Sequence, residues 1–249
     1  MTEYVGIDGC PAGWIAVFIN EYGVTNVTVK EKLTGFDFNR SNPKDIILID
    51  MPILIDMPIG LKKRPDGALR NAMKGNKNSV FSLPENLPPT EEEYDRIKDT
   101  ITMSEQTKAI MHKIYEVKEF AAGNNPDVFH FWESHPEFCF ELLNNSKKIF
   151  PKIFPKKTGA GQAERLLILK EYLGVAGIEK LLYLGVAGIE KLLREASKQE
   201  KDAFFKFDDL LDAACLAVMA KIIGTKENLG KIKEGADDYP FIAYAKNLM

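Results

Sequence analysis

The stretch Glu3–Leu33, EYVGIDGCPAGWIAVFINEYGVTNVTVKEKL, sets the class of fold. It holds three runs rich in β-branched and aromatic residues, separated by a glycine turn and by the turn-like NEYG. Strands joined by such short connections are typically antiparallel neighbours. The start of the chain therefore predicts a three-stranded antiparallel meander, with Asp8 at the end of its first strand.

Later apolar runs predict two more strands, and the segments around them predict helices. DIILIDMP is apolar enough for a buried central strand, and DVFHFWESHPE begins as a strand and ends in a turn at Pro136. A capping box at Thr90–Glu93 predicts a helix start. DDLLDAACLAVMAKIIG predicts a buried helix that stops at Gly224, and GQAERLLILKEYL predicts another helix. A further amphipathic helix is marked by Ile110, Ile114, Val117 and Ala121.

This order of elements predicts an α/β fold with a mixed five-stranded central sheet flanked by helices. The chain of 249 residues is long enough for one large domain. We expect a single domain over residues 1–249, with a helical insertion at about 60–125.

Composition excludes several classes of protein. No apolar run approaches the roughly 20 residues of a membrane span, and the first residues lack the pattern of a signal peptide. The three cysteines are far apart without CxxC spacing, which argues against a disulfide framework or a thiolate zinc site and is typical of a reducing cytoplasm. A net charge of -3 is unusual for a general nucleic-acid binder, so such a role would need a local basic patch.

Three tandem repeats are perfect duplications: ILIDMP at Ile47–Pro58, KIFP at Lys148–Pro155 and YLGVAGIEKLL at Tyr172–Leu193. Six residues keep the alternation of a strand in phase, and eleven residues nearly keep one face of a helix in phase. Two copies of ILIDMP exceed a usual strand length of about 5–6 residues. One copy is therefore expected outside the sheet or as an extension of its edge.

Carboxylates stand where strands end or a helix begins, at four places along the chain. They are Asp8 after the first strand, Asp50 or Asp56 in the repeated apolar run, Glu133 after the later strand, and Asp208, Asp209 and Asp212 at the start of the last helix. Carboxylates brought together repel one another, and a divalent cation removes that repulsion. Mg²⁺ and Mn²⁺ prefer such ligands, and two such ions can clamp a phosphodiester during displacement.

Each of these acids also has a structural interpretation. Asp8 before Gly9 is typical of a hairpin turn, and Glu133 before SHPE would cap a turn. Asp208 and Asp209 fit the N-cap of a helix and a partner for its dipole. The repeated aspartates have the weakest structural explanation, because the interior of a strand offers an acid few partners.

Basic residues cluster in LKKRPDGALR and in SKKIFPKIFPKKTGAGQAER. They would bind phosphates, with Phe150 and Phe154 stacking on bases, or else form solvated surface loops. His135 is a candidate general base or metal ligand, with a structural role as the alternative.

Seven ordered motifs, GIDGCPAGW, IDMPIGL, RPDGALR, SVFSLP, ESHPEFCF, KKTGAGQAER and DDLLDA, resemble those of domain-of-unknown-function family 429. The resemblance runs from about Val5 to about Ala220. It implies a ribonuclease-H-like fold and a predicted metal-dependent nuclease with Mg²⁺ or Mn²⁺ and a nucleic-acid substrate, DNA or RNA. A cytoplasmic location and no membrane partner are expected, and a homo-oligomer is left open.

The resemblance also implies roles for particular residues. Asp56 corresponds to the fourth-strand acid because only the second ILIDMP copy continues into PIGL, which leaves Asp50 without a task. The implied catalytic acids are Asp8, Asp56, Glu133, Asp209 and Asp212. Those implied as metal ligands are Asp8, Asp56 and Asp212. The implied substrate-binding residues are Arg64, Arg70, Lys157, Arg165 and His135, and Asp66 would line the same face.

Two other functions stay open at this point. A nucleotide-binding phosphotransferase of the actin-like kind would use GIDGCPAG as a phosphate turn and needs a second Asp-Gly turn. The nearest equivalent, EGADDYP at 234–240, has no preceding strand in the pattern. A non-catalytic nucleic-acid-binding module on the same fold would retain the domain and lack the chemistry.

Overall fold

The computed structural model describes residues 1–38, 45–53, 64–84, 87–123, 130–195, 205–233 and 241–249. Asp56, most of the second ILIDMP copy and the EGADDYP segment lie outside the described residues.

The first three strands form the predicted meander. β1 (Tyr4–Cys10) pairs antiparallel with β2 (Gly13–Asn20), which pairs antiparallel with β3 (Gly23–Lys30). Two shorter strands, β4 (Ile46–Ile49) and β5 (His130–Glu133), continue the sheet on the other side of β1. β4 is parallel to both β1 and β5, and the strand order is β3-β2-β1-β4-β5. The prediction of a mixed five-stranded sheet is confirmed.

Six α-helices accompany this sheet in the described part of the chain. They are α1 (Asp66–Ala72), α2 (Glu91–Ile97), α3 (Glu105–Ala122), α4 (Pro136–Lys147), α5 (Gly159–Glu195) and α6 (Phe207–Ile223). Helices α1 to α3 all come from the chain between β4 and β5. A separate antiparallel pair, β6 (Leu229–Ile232) and β7 (Ile242–Ala245), follows α6.

Local sequence signals explain where several helices begin. Helix α2 starts after Thr90, whose Oγ1 accepts a hydrogen bond from the Glu93 N–H at 3.2 Å, as the capping box predicts. The predicted turn at Pro136 is wrong, because Pro136 is the first residue of α4. Proline is well suited to this position, where its missing N–H would have no partner within the helix.

Helix α6 covers one face of the sheet and is buried along almost its whole length. It lies so close to β1 that a side chain at Gly6 would collide with the backbone of Ala213 and Ala217. Helix α3 covers the opposite face, where its buried Ile114 and Val117 belong to the same apolar cluster as Ile7. The alternation of side chains along β1 therefore separates two apolar layers, one on each side of the sheet.

Helix α5 contains both copies of the eleven-residue repeat. Its helical geometry is interrupted at Gly174, where φ is 71° and ψ is 175°. The two copies do not keep the same environment at every position: Val175 and Val186 are 56% and 54% exposed, whereas Tyr172 is half-buried and Tyr183 is 71% exposed. The break in helical geometry falls inside the first copy, so a repeat of about three helical turns does not keep all positions on one face.

In the described residues, no helix combines the length and the apolar character needed to cross a bilayer.

Candidate functional site

Three acidic side chains lie at the edge of the sheet where β4 and β5 end and where the pairing of β1 with β4 stops. Asp8 itself is not at the end of its strand as predicted, because β1 continues to Cys10 in its pairing with β2. Ile7 of β1 pairs with Ile49 of β4, and Ile49 pairs with Glu133 of β5. Asp8 and Asp50 each follow one of these paired residues, and the Asp50 N–H donates to Ile7 O at 3.0 Å. In open α/β sheets, ligands bind at the carboxyl ends of the parallel strands.

Helix α6 brings a further carboxylate to this edge, because its Asp212 lies in the second turn, above β1. Asp212 is 0% exposed, and its Oδ2 accepts a hydrogen bond from Lys156 Nζ at 2.6 Å. Its Oδ1 is buried and has no hydrogen-bond partner among the described residues. A buried acceptor without a partner is costly, so this oxygen indicates a place for a ligand or an ion.

The carboxylates are close enough to disturb one another's ionisation. Burial, together with the charges of Asp50 and Asp212, raises the pKa of Asp8 well above its ordinary value. Burial also raises the pKa of Asp50 and that of Asp212 to about 7 each, although Lys156 opposes the shift in both. Like charges gathered in a buried site retain protons in this way unless a cation compensates for them.

Asp50 occupies the position that the resemblance assigned to Asp56. β4 ends at Ile49, so the first copy of ILIDMP supplies both the strand and the acid that follows it. The two copies are identical in sequence. Only the position of β4, which the first copy forms, shows that Asp50 is the acid that follows the strand. Because Asp56 lies outside the described residues, its predicted role stays a prediction.

Lys156 reaches the acids from the segment between α4 and α5, which holds the KIFP repeat. Burial alone would lower the pKa of Lys156, but Asp212, Asp50 and Asp8 outweigh burial and raise it. Arg165 fixes this segment, because its Nη1 donates to Phe154 O and Gly161 O, both at 2.9 Å. Arg165 is 1% exposed, and its Nη2 lies 2.8 and 2.7 Å from the two carboxylate oxygens of Glu137. The structure thus places Arg165 in the support of the site.

Glu133 is held by a second buried ion pair. Arg64 Nη2 lies 2.5 Å from Glu133 Oε1 and 3.1 Å from Asp66 Oδ1. The Ile53 N–H donates to the other Glu133 oxygen, Oε2, at 2.9 Å. Burial raises the pKa of Glu133 even though Arg64 lowers it. Arg64 therefore neutralises Glu133 and ties the start of α1 to the end of β5.

His135 is the N-cap of α4, where Nδ1 accepts a hydrogen bond from the Phe138 N–H at 3.3 Å. Nε2 lies 3.4 Å from Ser79 O. Burial lowers the pKa of His135 to about 4, so the ring is neutral at pH 7. A neutral ring with Nδ1 as acceptor and Nε2 as donor accounts for both contacts, which supports the structural alternative.

The other helix acids also have local contacts. Asp209 Oδ2 accepts a hydrogen bond from the Lys206 N–H at 2.8 Å, which caps the start of α6. Burial raises the pKa of Asp209 despite that bond. Asp208 is buried and lies beside Asp209 at the mouth of the site.

Most of these groups line a cavity of about 730 Å³, but the fully buried Asp212 does not and lies behind its wall. The sheet edge contributes Asp8, Asp50 and Glu133, and α6 contributes Asp208 and Asp209. Other lining residues named by the family resemblance are Arg64, Asp66, Lys157 and His135. A volume between about 300 and 1,000 Å³ is typical of a pocket for a small molecule.

Arg70 and Arg165 do not line this cavity. Arg70 donates to Ser82 Oγ at 2.9 Å and to Val80 O at 2.6 Å, which holds the 80–82 loop beside α1. The structure therefore places Arg70 in the wall behind the site, while Lys157 is exposed at its rim.

The chain matches the model of one family, described as Protein of unknown function (DUF429), over residues 6–234. It belongs to this family. No curated protein and no solved structure matches the chain. The matched range of the DUF429 model includes the whole acidic edge from Asp8 to Asp212.

The acidic edge of this DUF429 site offers carboxylate oxygens, the type of ligand that Mg²⁺ and Mn²⁺ prefer. Beyond the effect of burial, Asp50 and Asp212 raise the pKa of Asp8, and Asp50 raises that of Asp212. One oxygen of Asp212 is buried without a partner among the described residues. Among the described residues, no three His, Cys, Asp or Glu side chains form a ready-made metal-binding group. Lys156 supplies the compensating positive charge in this arrangement.

Sequence reasoning gave no role to three residues that belong to the site. Asp50 has no predicted role because only the second ILIDMP copy continues into the family motif. Lys156 was grouped with surface lysines, and Glu137 was not singled out. A signal was present only for Asp50, which directly follows the first apolar run.

Proposed function

We propose that this chain is a metal-dependent nuclease that hydrolyses phosphodiester bonds, on a ribonuclease-H-like fold. The observation that carries the proposal is the convergence of Asp8, Asp50 and Asp212, which resist ionisation together. Groups with strongly perturbed pKa values inside a cavity are frequent at functional sites. The mixed sheet, with α6 packed against β1, supports the fold assignment.

Asp8, Asp50 and Asp212 are the residues that would hold Mg²⁺ or Mn²⁺. Both ions prefer carboxylate oxygens, and the unpartnered Asp212 Oδ1 is such a donor. When bound, the cation would supply positive charge for the phosphate and an acidic bound water. Asp56 stays a further candidate for this set, outside the described residues.

The protein's own side chains divide the remaining tasks. Lys156 compensates the charge of the acids and would release Asp212 when a cation enters. Arg64 fixes the orientation of Glu133, and the exposed Lys157 at the rim is placed to meet a phosphate. Arg165 holds the segment that carries both lysines.

A cleavage assay tests the proposal. Labelled single- and double-stranded DNA and RNA are incubated with the protein in millimolar Mg²⁺ or Mn²⁺ and in EDTA. We expect metal-dependent cleavage and a loss of at least about 100-fold in Asp8→Asn and in Asp50→Asn, the size of effect expected from removing a main electrostatic group. Asp37→Asn is the matched control, because Asp37 is exposed and does not line the cavity.

Two results would contradict the nuclease proposal. One is a folded wild-type protein that cleaves none of the four nucleic acids with either metal. The other is cleavage by Asp8→Asn and Asp50→Asn at the rate of the wild type. Circular dichroism of each variant establishes that it is folded.

A further inference from the structure

The wall that faces the acids is built by the chain between β4 and β5. It contributes the exposed Asn78, Phe81 and Gln106, as well as Leu83 and Ile110. The acidic edge and this wall line the same cavity of about 730 Å³, which is partly open to solvent. The motif SVFSLP, for which the nuclease site gives no task, forms part of the wall at Ser79, Val80, Phe81 and Leu83.

The charge of the described lining does not suit a long polyanion. Seven carboxylates line it, namely Asp8, Asp50, Asp66, Glu133, Glu137, Asp208 and Asp209, against five cations, namely Arg64, Lys113, Lys156, Lys157 and Lys206. Proteins that hold a duplex commonly neutralise about 6–10 phosphates with Lys and Arg.

Three of the five cations already have partners within the protein. Arg64 bonds Glu133, Lys156 bonds Asp212, and Lys113 donates to Cys10 O and Gly13 O. Only Lys157 and Lys206 are exposed among the cations of the described lining. Two exposed ammonium groups are sufficient for one or two phosphates.

The same wall offers groups that would recognise a base. Phe81 lines the cavity and is 41% exposed, so part of its ring is accessible to a ligand. Aromatic rings of this kind bind bases by stacking, and every base has a face that can stack. Asn78 and Gln106 each carry an amide donor and an amide acceptor for the edge of a base.

We infer that the cavity binds a single nucleotide unit, either a chain end or a free nucleotide, with its base stacked on Phe81 and its phosphate toward the acids. The inferred position of the phosphate depends on the proposed nuclease function. The inferred stacking of the base depends only on the residues of the wall. The substrate class is then a single-stranded terminus or a mononucleotide, rather than the interior of a duplex.

Binding is tested by isothermal titration with AMP, GMP, CMP and UMP in millimolar Mn²⁺. We expect one site per chain, and an affinity at least about fivefold weaker in Phe81→Ala, the low end of what loss of base stacking costs. Phe81→Trp should restore binding. Tyr22→Ala is the control, because Tyr22 is 85% exposed and lies outside the cavity. The inference is overturned if no mononucleotide binds, or if Phe81→Ala binds as the wild type does.

A cleavage comparison separates this inference from the proposed function. Linear and covalently closed circular single-stranded DNA of one sequence are digested side by side, and we expect the circle to resist by at least about 100-fold. Equal cleavage of both would overturn the single-nucleotide cavity and leave the nuclease proposal standing. Binding that depends on Phe81, with no cleavage of any nucleic acid, would support the cavity and reject the nuclease.

Discussion

Lys156 Nζ lies 2.6 Å from Asp212 Oδ2, and Asp212 is completely buried while the Lys156 side chain is 30% exposed. The lysine thus extends from the surface to a carboxylate that solvent does not reach. Its charge is shared, since Asp50 and Asp8 also raise the pKa of Lys156. A single ammonium group therefore supplies positive charge to all three acids.

Replacing that ammonium group should make the protein depend on added metal. In Lys156→Met, we expect the free energy of unfolding at pH 7 without metal to fall by about 1–3 kcal/mol. Breaking a fully buried ion pair costs about 3–5 kcal/mol, and the expected loss is smaller here because Lys156 is partly exposed. Mn²⁺ should then raise the Tm of the variant more than that of the wild type, because a ligand that binds only the folded state stabilises it. Scanning calorimetry with and without Mn²⁺ measures both effects.

Lys157→Met is the matched control, since Lys157 is the exposed neighbour of Lys156 in the chain. It should leave stability without metal unchanged. An equal gain in Tm with Mn²⁺ for Lys156→Met and the wild type would contradict the idea that Lys156 replaces a metal ion.

The raised pKa values of the acids predict a fall in stability as the pH increases. Asp50 and Asp212 have pKa values of about 7 in the folded protein and an ordinary value of 3.8, so the folded state binds more protons between these values. Their contribution is lost as the pH rises through 7. Between pH 6.5 and 8.5 we expect the free energy of unfolding to fall by about 1–2 kcal/mol, since one pKa unit is about 1.4 kcal/mol. Urea denaturation without metal measures this.

The measurement starts at pH 6.5 because His135 also changes the pH dependence of stability below that value. Burial lowers its pKa from 6.5 to about 4, so its effect has the opposite sign and is confined to lower pH. Asp50→Asn should reduce the fall above pH 6.5 and be more stable than the wild type at pH 8.5. Stability that rises from pH 6.5 to 8.5 in the wild type would contradict the prediction.

The Arg64–Glu133 ion pair should stabilise the folded state whether or not Arg64 also contacts a substrate. In Arg64→Met, Glu133 stays buried without its cation, and we expect a loss of about 3–5 kcal/mol. The double variant Arg64→Met, Glu133→Gln should recover part of that loss, because Gln is neutral and still accepts from the Ile53 N–H. Chemical denaturation of both variants gives the comparison. A single variant as stable as the wild type would show that the pair does not hold the site together.

The contact between β1 and α6 predicts a strong effect of one methyl group. A Cβ at residue 6 would overlap Ala213 O and Ala217 N, and backbone atoms of a helix cannot move aside as a side chain can. We expect Gly6→Ala to cost at least about 3 kcal/mol, the upper range for overpacking. Gly159→Ala is the control, because its Cβ would meet nothing within 4 Å. Thermal unfolding that leaves Gly6→Ala within 1 kcal/mol of Gly159→Ala, about the helix-propensity difference between the two residues, would contradict the close packing.

Much of the fold could be predicted from the sequence, because local patterns determine it. Each of these patterns involves residues that are close together in the sequence. Examples are the turns of the meander, the cap at Thr90 and the continuous apolar run of α6. A turn is predicted at Pro136, where the structure has the start of α4, because a proline suits both a turn and the first position of a helix. Only its neighbours in space decide between the two.

The site was predicted less completely, because its partners are distant in the sequence. The sequence singles out Asp8 and Glu133 as acids in or after strands, although β1 continues beyond Asp8 to Cys10. The choice of Lys156 over Lys157 depends on how the segment before α5 is folded. Arg165 and Arg64 were expected to face a substrate. Both form buried ion pairs, Arg165 with Glu137 and Arg64 with Glu133, which no local pattern reveals, and Arg64 also lines the cavity.

The close contact of Gly6 with α6 has a consequence for how the molecule can respond to a ligand. Asp8 is two residues beyond Gly6, and Asp212 is adjacent to Ala213, which Gly6 contacts. The spacing between those two carboxylates is therefore fixed by the interior of the protein, and widening it would require the central strand and helix to separate. Any adjustment to a ligand would then have to come from loops such as residues 76–83, because moving them leaves β1 and α6 in place.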